Sequence, residues 1–284
     1  MILVTGATGN VASLLIPALR EAGEQVRALV RDESKAEPLK DLGVEVVIGD
    51  MEQPETLKRA VADVEKMALI SPVGPTGAQQ ARNVIQAAKA VGSPYIVRLT
   101  AYGTSKSRIT QQHEEIEQEL KQSGLAYTLI KPTFFMQNTM MAAQTVASHG
   151  AMYMPFKSGR LGMIDVRDVA DVVLKVLTTE GHEGKTYILT GPASISFQDV
   201  ATELSRAIGK EVAYVDVTLD AARESMLGMG FPEWTVDGSL ELFEGFSEGF
   251  ADTTTPYVEL LSGHPARSFE TFARDFAQVF GSSP

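Results

Sequence analysis

Residues Val4-Thr5-Gly6-Ala7-Thr8-Gly9-Asn10-Val11-Ala12 set two glycines three apart between an apolar run and an amphipathic one. A phosphate cradle needs that arrangement. Gly6 and Gly9 permit a tight turn, so the backbone of Gly6, Thr8, Gly9, Asn10 and Val11 and the N-terminus of the next helix can approach a pyrophosphate. Ala12 is small enough for helix and strand to pack closely. The ligand implied is a dinucleotide. About 20 residues past such glycines, the end of the second strand meets the ribose 2′ position. Arg31 stands there, followed by Asp32 and, a turn further on, Lys35. A basic residue accommodates a 2′-phosphate and an acidic one holds a ribose hydroxyl, so Arg31 favours NADP(H) over NAD(H). Asp32, one residue along, keeps NAD(H) as the alternative. Asp50 and Met51, after the third strand, are placed to meet the adenine, and Ile70-Ser71-Pro72, after the fourth, to lie under the cofactor. Each of these also reads as an ordinary turn residue.

Other reactive side chains are sparse. The four histidines, His113, His149, His182 and His264, stand far apart, and no pair has metal-ligand spacing. There is no cysteine, which excludes disulfides, thiolate metal sites, iron–sulfur ligation and a cysteine nucleophile. No metal is expected. Asp165 and Asp168 flank Val166-Arg167 ahead of a helix, and Asp168 reads as a cap or an ion-pair partner.

The elements that position these residues alternate. Apolar, β-branched runs at 2–5, 26–30, 44–48, 66–71, 95–100 and 127–131 read as strands buried on both faces. Amphipathic stretches at 11–22, 34–42, 54–62, 77–91 and 109–123 read as helices. Pro54 suits a first turn, and Gly23, Gly92 and Gly124 follow helix ends. The spacing predicts an α/β fold with a Rossmann-type, doubly wound parallel sheet. A helix at 167–179 and a strand at 185–189 resume the pattern. A helix at 197–208, a strand at 212–217 and further helices complete the chain. The expected domains are a dinucleotide-binding domain over 1–155, to which 164–192 return, and a smaller, mostly helical substrate domain over 193–284. Residues 133–163 are rich in Met and Phe, either as core filler or as the wall of an adaptable apolar pocket at the carboxyl edge of the sheet.

The chain has 284 residues, 44% hydrophobic and 21% charged, enough to bury a core without staples. With 25 Lys+Arg against 36 Asp+Glu its net charge is −11, which repels a phosphate backbone and disfavours nucleic acid. No apolar run approaches a membrane span, and MILVTG lacks the charged region of a secretory signal. A cytoplasmic protein is expected. Neither nucleic acid nor a membrane is expected as a partner, and a homodimer is admitted.

TGATGNVAS, LVRDESKA, GDMEQPETL, SGLAYTLIKPTFFMQN and EGHEGKTYILTG together resemble the NmrA-like, atypical short-chain dehydrogenase/reductase family. Type 2 quinone oxidoreductases and triphenylmethane reductases are closest in pattern. The resemblance runs from residue 1 to about 280. It implies NADP(H) bound by the glycine loop, Arg31 and the residue-70 loop. It also implies that Pro132 to Asn138 covers the nicotinamide and lines the acceptor cleft, with Pro132, Thr133 and Phe134 toward the cofactor and Phe135 and Asn138 toward the acceptor. Asn138 could hydrogen-bond a carbonyl or cap a helix. Tyr102, at the edge of the fifth strand, lines the pocket or is a plain loop residue. Trp234 closes the pocket or packs in a core.

The short-chain dehydrogenases proper use Tyr-x-x-x-Lys on the helix after strand five, where Lys⁺ lowers the Tyr pKa. The spacing occurs here at Tyr102–Lys106 and Tyr127–Lys131, in a loop and on a strand respectively. The matching helix carries Ile109 and His113 instead. The resemblance makes His113 the catalytic candidate, touching the ribose or polarising a substrate oxygen, although a lone helical histidine is as readily structural. Two functions of different class fit. One is an NADPH-dependent reductase passing a hydride to a quinone, enone, imine or dye, for which a missing Tyr acid costs little. The other is a non-catalytic NADP(H) sensor acting through a protein partner. The elaborated apolar segment favours the first. Epimerase chemistry on a nucleotide sugar needs the Tyr/Lys base and is disfavoured.

Overall fold

A computed structural model describes residues 1–92 and 94–281. Five strand–helix units open the chain: β1 (Ile2–Val4), α1 (Ala12–Glu21), β2 (Val26–Val30), α2 (Glu37–Lys40), β3 (Glu45–Ile48), α3 (Pro54–Val61), β4 (Lys66–Leu69), α4 (Gly77–Val91), β5 (Tyr95–Leu99) and α5 (Arg108–Gln122). β6 (Tyr127–Pro132) leads to a 3₁₀ helix (Met136–Ala142), α6 (Ala143–His149), β7 (Ala151–Met154), β8 (Arg160–Leu161), α7 (Val166–Thr178) and β9 (Thr186–Leu189). The remainder is β10 (Ile195–Ser196), α8 (Phe197–Ile208), β11 (Ala213–Asp216), α9 (Leu219–Gly228), α10 (Glu233–Ser247), α11 (Tyr257–Ser262), α12 (Phe269–Asp275) and α13 (Ala277–Gly281).

Seven strands form one sheet in the order β3-β2-β1-β4-β5-β6-β9, with parallel registers from β3 through to β6. β9 also runs parallel, since Leu129 N and Thr133 N donate to the carbonyls of Lys185 and Leu189 in step. The strand order reverses between β1 and β4, and in such folds ligands bind at the carboxyl ends of the strands beside that point. This is the doubly wound sheet that the alternating runs predict. β1 and β2 are buried throughout while β3, at the edge, is partly exposed, which is why the central runs are the more continuously apolar.

Two local expectations differ. The helix predicted over 34–42 is a 3₁₀ turn at Glu33–Lys35 followed by the single turn α2. Pro38 lacks an N–H to continue a helix from Glu33 and instead starts a new one. The fourth strand stops at Leu69, not 71, because the Thr5 hydroxyl takes both backbone groups of Ile70, accepting from its N–H at 2.9 Å and donating to its carbonyl at 2.7 Å.

The chain divides into two compact units. The first comprises Met1–Ala101, Gln112–Lys131 and Val169–Tyr187, and the second Tyr102–Gln111, Pro132–Asp168 and Ile188–Pro284. Residues 132–155, expected with the dinucleotide domain, thus group with the second unit. The first unit's core includes Leu3, Leu29, Val47, Leu57, Met67, Ile96 and Leu129. The second packs Met136, Met152, Met163, Phe134, Phe156, Phe197 and Phe272. Phe156 lies flat on Phe197 at 4.4 Å between ring centres, and Phe134 meets both edge-on. Much of the Met/Phe-rich segment is therefore core. Flexible thioethers fill the space between rings that stack at unequal angles.

Candidate functional site

In the first unit the glycine turn is closed by its own backbone. Gly9 N–H donates to the Gly6 carbonyl at 2.9 Å, and Gly6 adopts φ +59°. A Cβ on Gly6 would lie 3.0 Å from the Ile70 carbonyl oxygen, so the backbones of the two loops touch where a side chain cannot fit. Thr8, Gly9 and Asn10 are exposed and Val11 is buried. α1 starts without a side-chain cap and with no acidic residue in its first turn, so nothing in the helix itself competes for an anion at its positive end. Beside the cradle, the Ser71 hydroxyl is buried with no hydrogen-bond partner. Unpaired polar atoms of this kind are costly unless a ligand or water meets them. Pro72 is exposed, and the 70–77 loop is braced by Gln112 of α5, whose side chain bonds both backbone groups of Gly74.

At the 2′ position, Asp32 is already engaged: its carboxylate accepts from Ser34 N at 2.9 Å, which holds the acid below its ordinary range. Arg31 is exposed and has no ion pair among the described residues. One Asp50 oxygen accepts from Glu52 N at 2.9 Å, forming a local turn, and Met51 is buried with its carbonyl bonded to Asn83. The cradle, the bare helix end and the orphaned serine hydroxyl fit a nicotinamide dinucleotide.

The centre of this unit holds a polar network that the sequence reading passed over. Arg98 and Thr100 lie on one face of the β5 segment, two residues apart. They meet His113 and Glu117, which share a face of α5 one turn apart. Arg98 is fully buried, and its Nη1 donates to the Leu69 carbonyl at 3.0 Å and its Nη2 to His113 Nδ1 at 3.2 Å. Thr100 donates to the Glu117 carboxylate at 2.7 Å and Lys131 does so at 2.9 Å. Burial lowers the Arg98 pKa to about 10, opposed by Glu117. His113 falls to about 3 through burial and the neighbouring Arg98 and Lys131, so its ring is neutral. The signal was present in the sequence as an arginine inside the otherwise apolar run YIVRLT. Tyr127 and Lys131 sit on β6, as their run predicts, and Lys131 is committed to Glu117. His182 holds a turn, bonding Thr179 and Tyr187 at 2.9 Å each.

The remaining candidates belong to the second unit. Thr133 is buried, and its hydroxyl donates to the carbonyls of Gly162 and Leu189. Pro132 is buried. Phe134 turns its ring into the core, which leaves only its backbone for a ligand. Phe135 bridges Ile164 and is partly exposed. Asn138 lies within the 3₁₀ helix and caps nothing, so of its two expected roles the capping one is excluded. Tyr102 donates its N–H to the Pro132 carbonyl at 2.9 Å, and its ring lies 5.2 Å from that of Phe250. Phe250 is 41% exposed and was not singled out by sequence. Trp234 is half-buried in the first turn of α10. Asp168 takes the expected ion pair with Arg267. Asp165 accepts from Arg167 and Gln137, and these bonds outweigh its burial to hold it below the ordinary range.

No helix among the described residues is long and apolar enough to cross a membrane. A model of the NmrA-like family matches residues 1–257. The chain is 38% identical over 286 residues to an NAD(P)H azoreductase from Xenophilus azovorans, with 100% of both covered. The NADPH-dependent quinone oxidoreductase of Escherichia coli, solved with NADPH, superimposes with a TM-score of 0.90 at 29% identity, over 97% of this chain and 99% of that one. Triphenylmethane reductase from Citrobacter sp., solved with NADP(H), gives 0.87 at 28% identity, over 98% and 100%. Matched by the family model over most of its length and by a full-length relative, the chain belongs to the NmrA-like family.

Proposed function

We propose that this chain is a reductase that passes a hydride from NADPH, in preference to NADH, directly to an electron-poor, largely apolar acceptor. It is an NAD(P)H-dependent oxidoreductase, as its relatives' names support. The acceptor class follows from one observation. His113, which stands on α5 where the short-chain dehydrogenases proper carry their Lys, is held neutral and buried, and Lys131 is committed to Glu117, so neither is a charged acid poised for an alkoxide. Quinones, enones, imines and azo or triarylmethane dyes do not need one, because the reduced product is a stabilised anion or takes its proton from solvent.

The bound cofactor would supply the hydride. The backbone of Gly6, Thr8, Gly9, Asn10 and Val11 would hold the pyrophosphate and Arg31 the 2′-phosphate. Asp50 and Met51 would meet the adenine, and Ile70, Ser71 and Pro72 would support the cofactor, with the Ser71 hydroxyl gaining a partner. On the family resemblance, Pro132, Thr133 and Phe134 would contact the nicotinamide through their backbone, and Tyr102, Phe135, Asn138 and Trp234 the acceptor. The side chains orient and exclude water, and His113 donates one hydrogen bond at the reacting end. The test is titration calorimetry with NADPH and NADH, then loss of NADPH absorbance against a panel of quinones, enones, imines and dyes. Tighter NADPH binding with turnover of one panel member is expected. Binding without turnover across the panel would overturn the reductase in favour of a sensor.

A further inference from the structure

We propose that Arg98 is a positioning residue that holds His113 as a neutral imidazole with its only ring proton on Nε2, which makes His113 a hydrogen-bond donor and never an acid. For the role of His113 in turnover this rests on the reading above; for its protonation it does not.

A guanidinium has five N–H donors and no acceptor, and with its pKa lowered only to about 10 Arg98 keeps its proton at neutral pH. Arg98 Nη2 points at His113 Nδ1 at 3.2 Å, so Nδ1 must present its lone pair and the ring proton must sit on Nε2. Protonating Nδ1 would set N–H against N–H and one cation against another inside the core. Neither partner can turn away. Arg98 is fully buried and tethered through Nη1 to the carbonyl of Leu69, while His113 is buried on α5.

The charges around the ring act in the same direction. Lys131 faces it from β6 and Arg98 from β5. Glu117, one turn along α5, is the nearby anion, and it is already taken by Lys131 and Thr100. The loop after β4, residues 70–77, carries no charged side chain. Arg82 of α4 is held by Glu115 and Glu119, on the other side of α5. Burial with these two cations keeps the ring neutral down to about 3.

The experiment is two-bond ¹⁵N–¹H NMR of the four imidazoles in the full chain without cofactor, with His113→Gln identifying the His113 signals. Expected are an unprotonated Nδ1, a protonated Nε2 and no titration between about pH 5 and about pH 9. In Arg98→Met the tautomer preference should be lost and the His113 midpoint should rise by more than about one pH unit. Arg98→Lys, which keeps a cation with donors only, should retain the neutral ring. A protonated Nδ1 in the native protein, titration near pH 6.5, or an Arg98→Met spectrum like the native one would each overturn the assignment. The native spectrum decides even if Arg98→Met does not fold. Separately, unchanged turnover in His113→Ala would sink the functional reading of His113 while leaving the tautomer result standing.

Discussion

His113 Nδ1 accepts a hydrogen bond from Arg98 Nη2 at 3.2 Å, with both side chains buried between β5 and α5. A group so placed links stability to pH. The unfolded chain protonates this histidine below about pH 6.5, whereas the folded chain resists protonation down to about 3. The unfolded state therefore binds more protons across that interval, and stability rises with pH through it. Urea midpoints measured from about pH 5 to about pH 7 should climb, and the climb should shrink in His113→Gln. An identical slope in the variant would remove His113 as its source.

Turnover should fall at least several-fold in His113→Ala, with the NADPH dissociation constant little changed, if the lost donor serves the reacting end as proposed. His113→Gln, which can still present an N–H near the Nε2 position, should recover part of the loss. Single-turnover kinetics beside calorimetry separate the two parameters.

Arg31→Ala should weaken NADPH by about tenfold or more and leave NADH nearly unaffected, since the free guanidinium would face only the 2′-phosphate. Asp32 already has a partner in Ser34 and should not take over the ribose. Equal losses for both cofactors, read by calorimetry, would refute the placement of Arg31.

Gly6→Ala and Gly23→Ala both force alanine into a left-handed backbone, at φ +59° and +83° respectively. Gly23→Ala should cost about 1 kcal/mol of stability, and Gly6→Ala more because of the contact with Ile70. Gly23 faces open space, whereas a Cβ at Gly6 meets the Ile70 carbonyl. Only Gly6→Ala should also lose cofactor affinity, and a comparable loss in both would mean that the cradle does not bind it.

Phe250→Ala should raise KM for a flat aromatic quinone more than for a small aliphatic enone, with NADPH binding unchanged. The ring lies against Tyr102 yet stays 41% exposed, so it can extend a wall onto which a planar acceptor stacks. Equal KM changes for the two acceptors would make Phe250 a packing residue only.

The doubly wound parallel sheet was legible in the sequence because each central strand is covered on both faces and each helix on one, so period and apolarity carry the fold class, while the strand order came from the structure. The tight turn after β1 was legible for a related reason: such a turn admits few residue types, and Gly6 and Gly9 declare it. The break at Pro38 was written there too, although a nine-residue amphipathic stretch masked it.

Tertiary structure alone decided what the polar side chains do. Arg98, Thr100, His113, Glu117 and Lys131 come from two strands and a helix, and their meeting depends on register and on the angle of α5, which local pattern does not encode. The same holds for Phe134, whose ring turns into the core, and for Phe250, brought to Tyr102 from well over one hundred residues away. Backbone geometry follows from local residue types, whereas the protonation state of a buried ring is set by the neighbours that packing supplies.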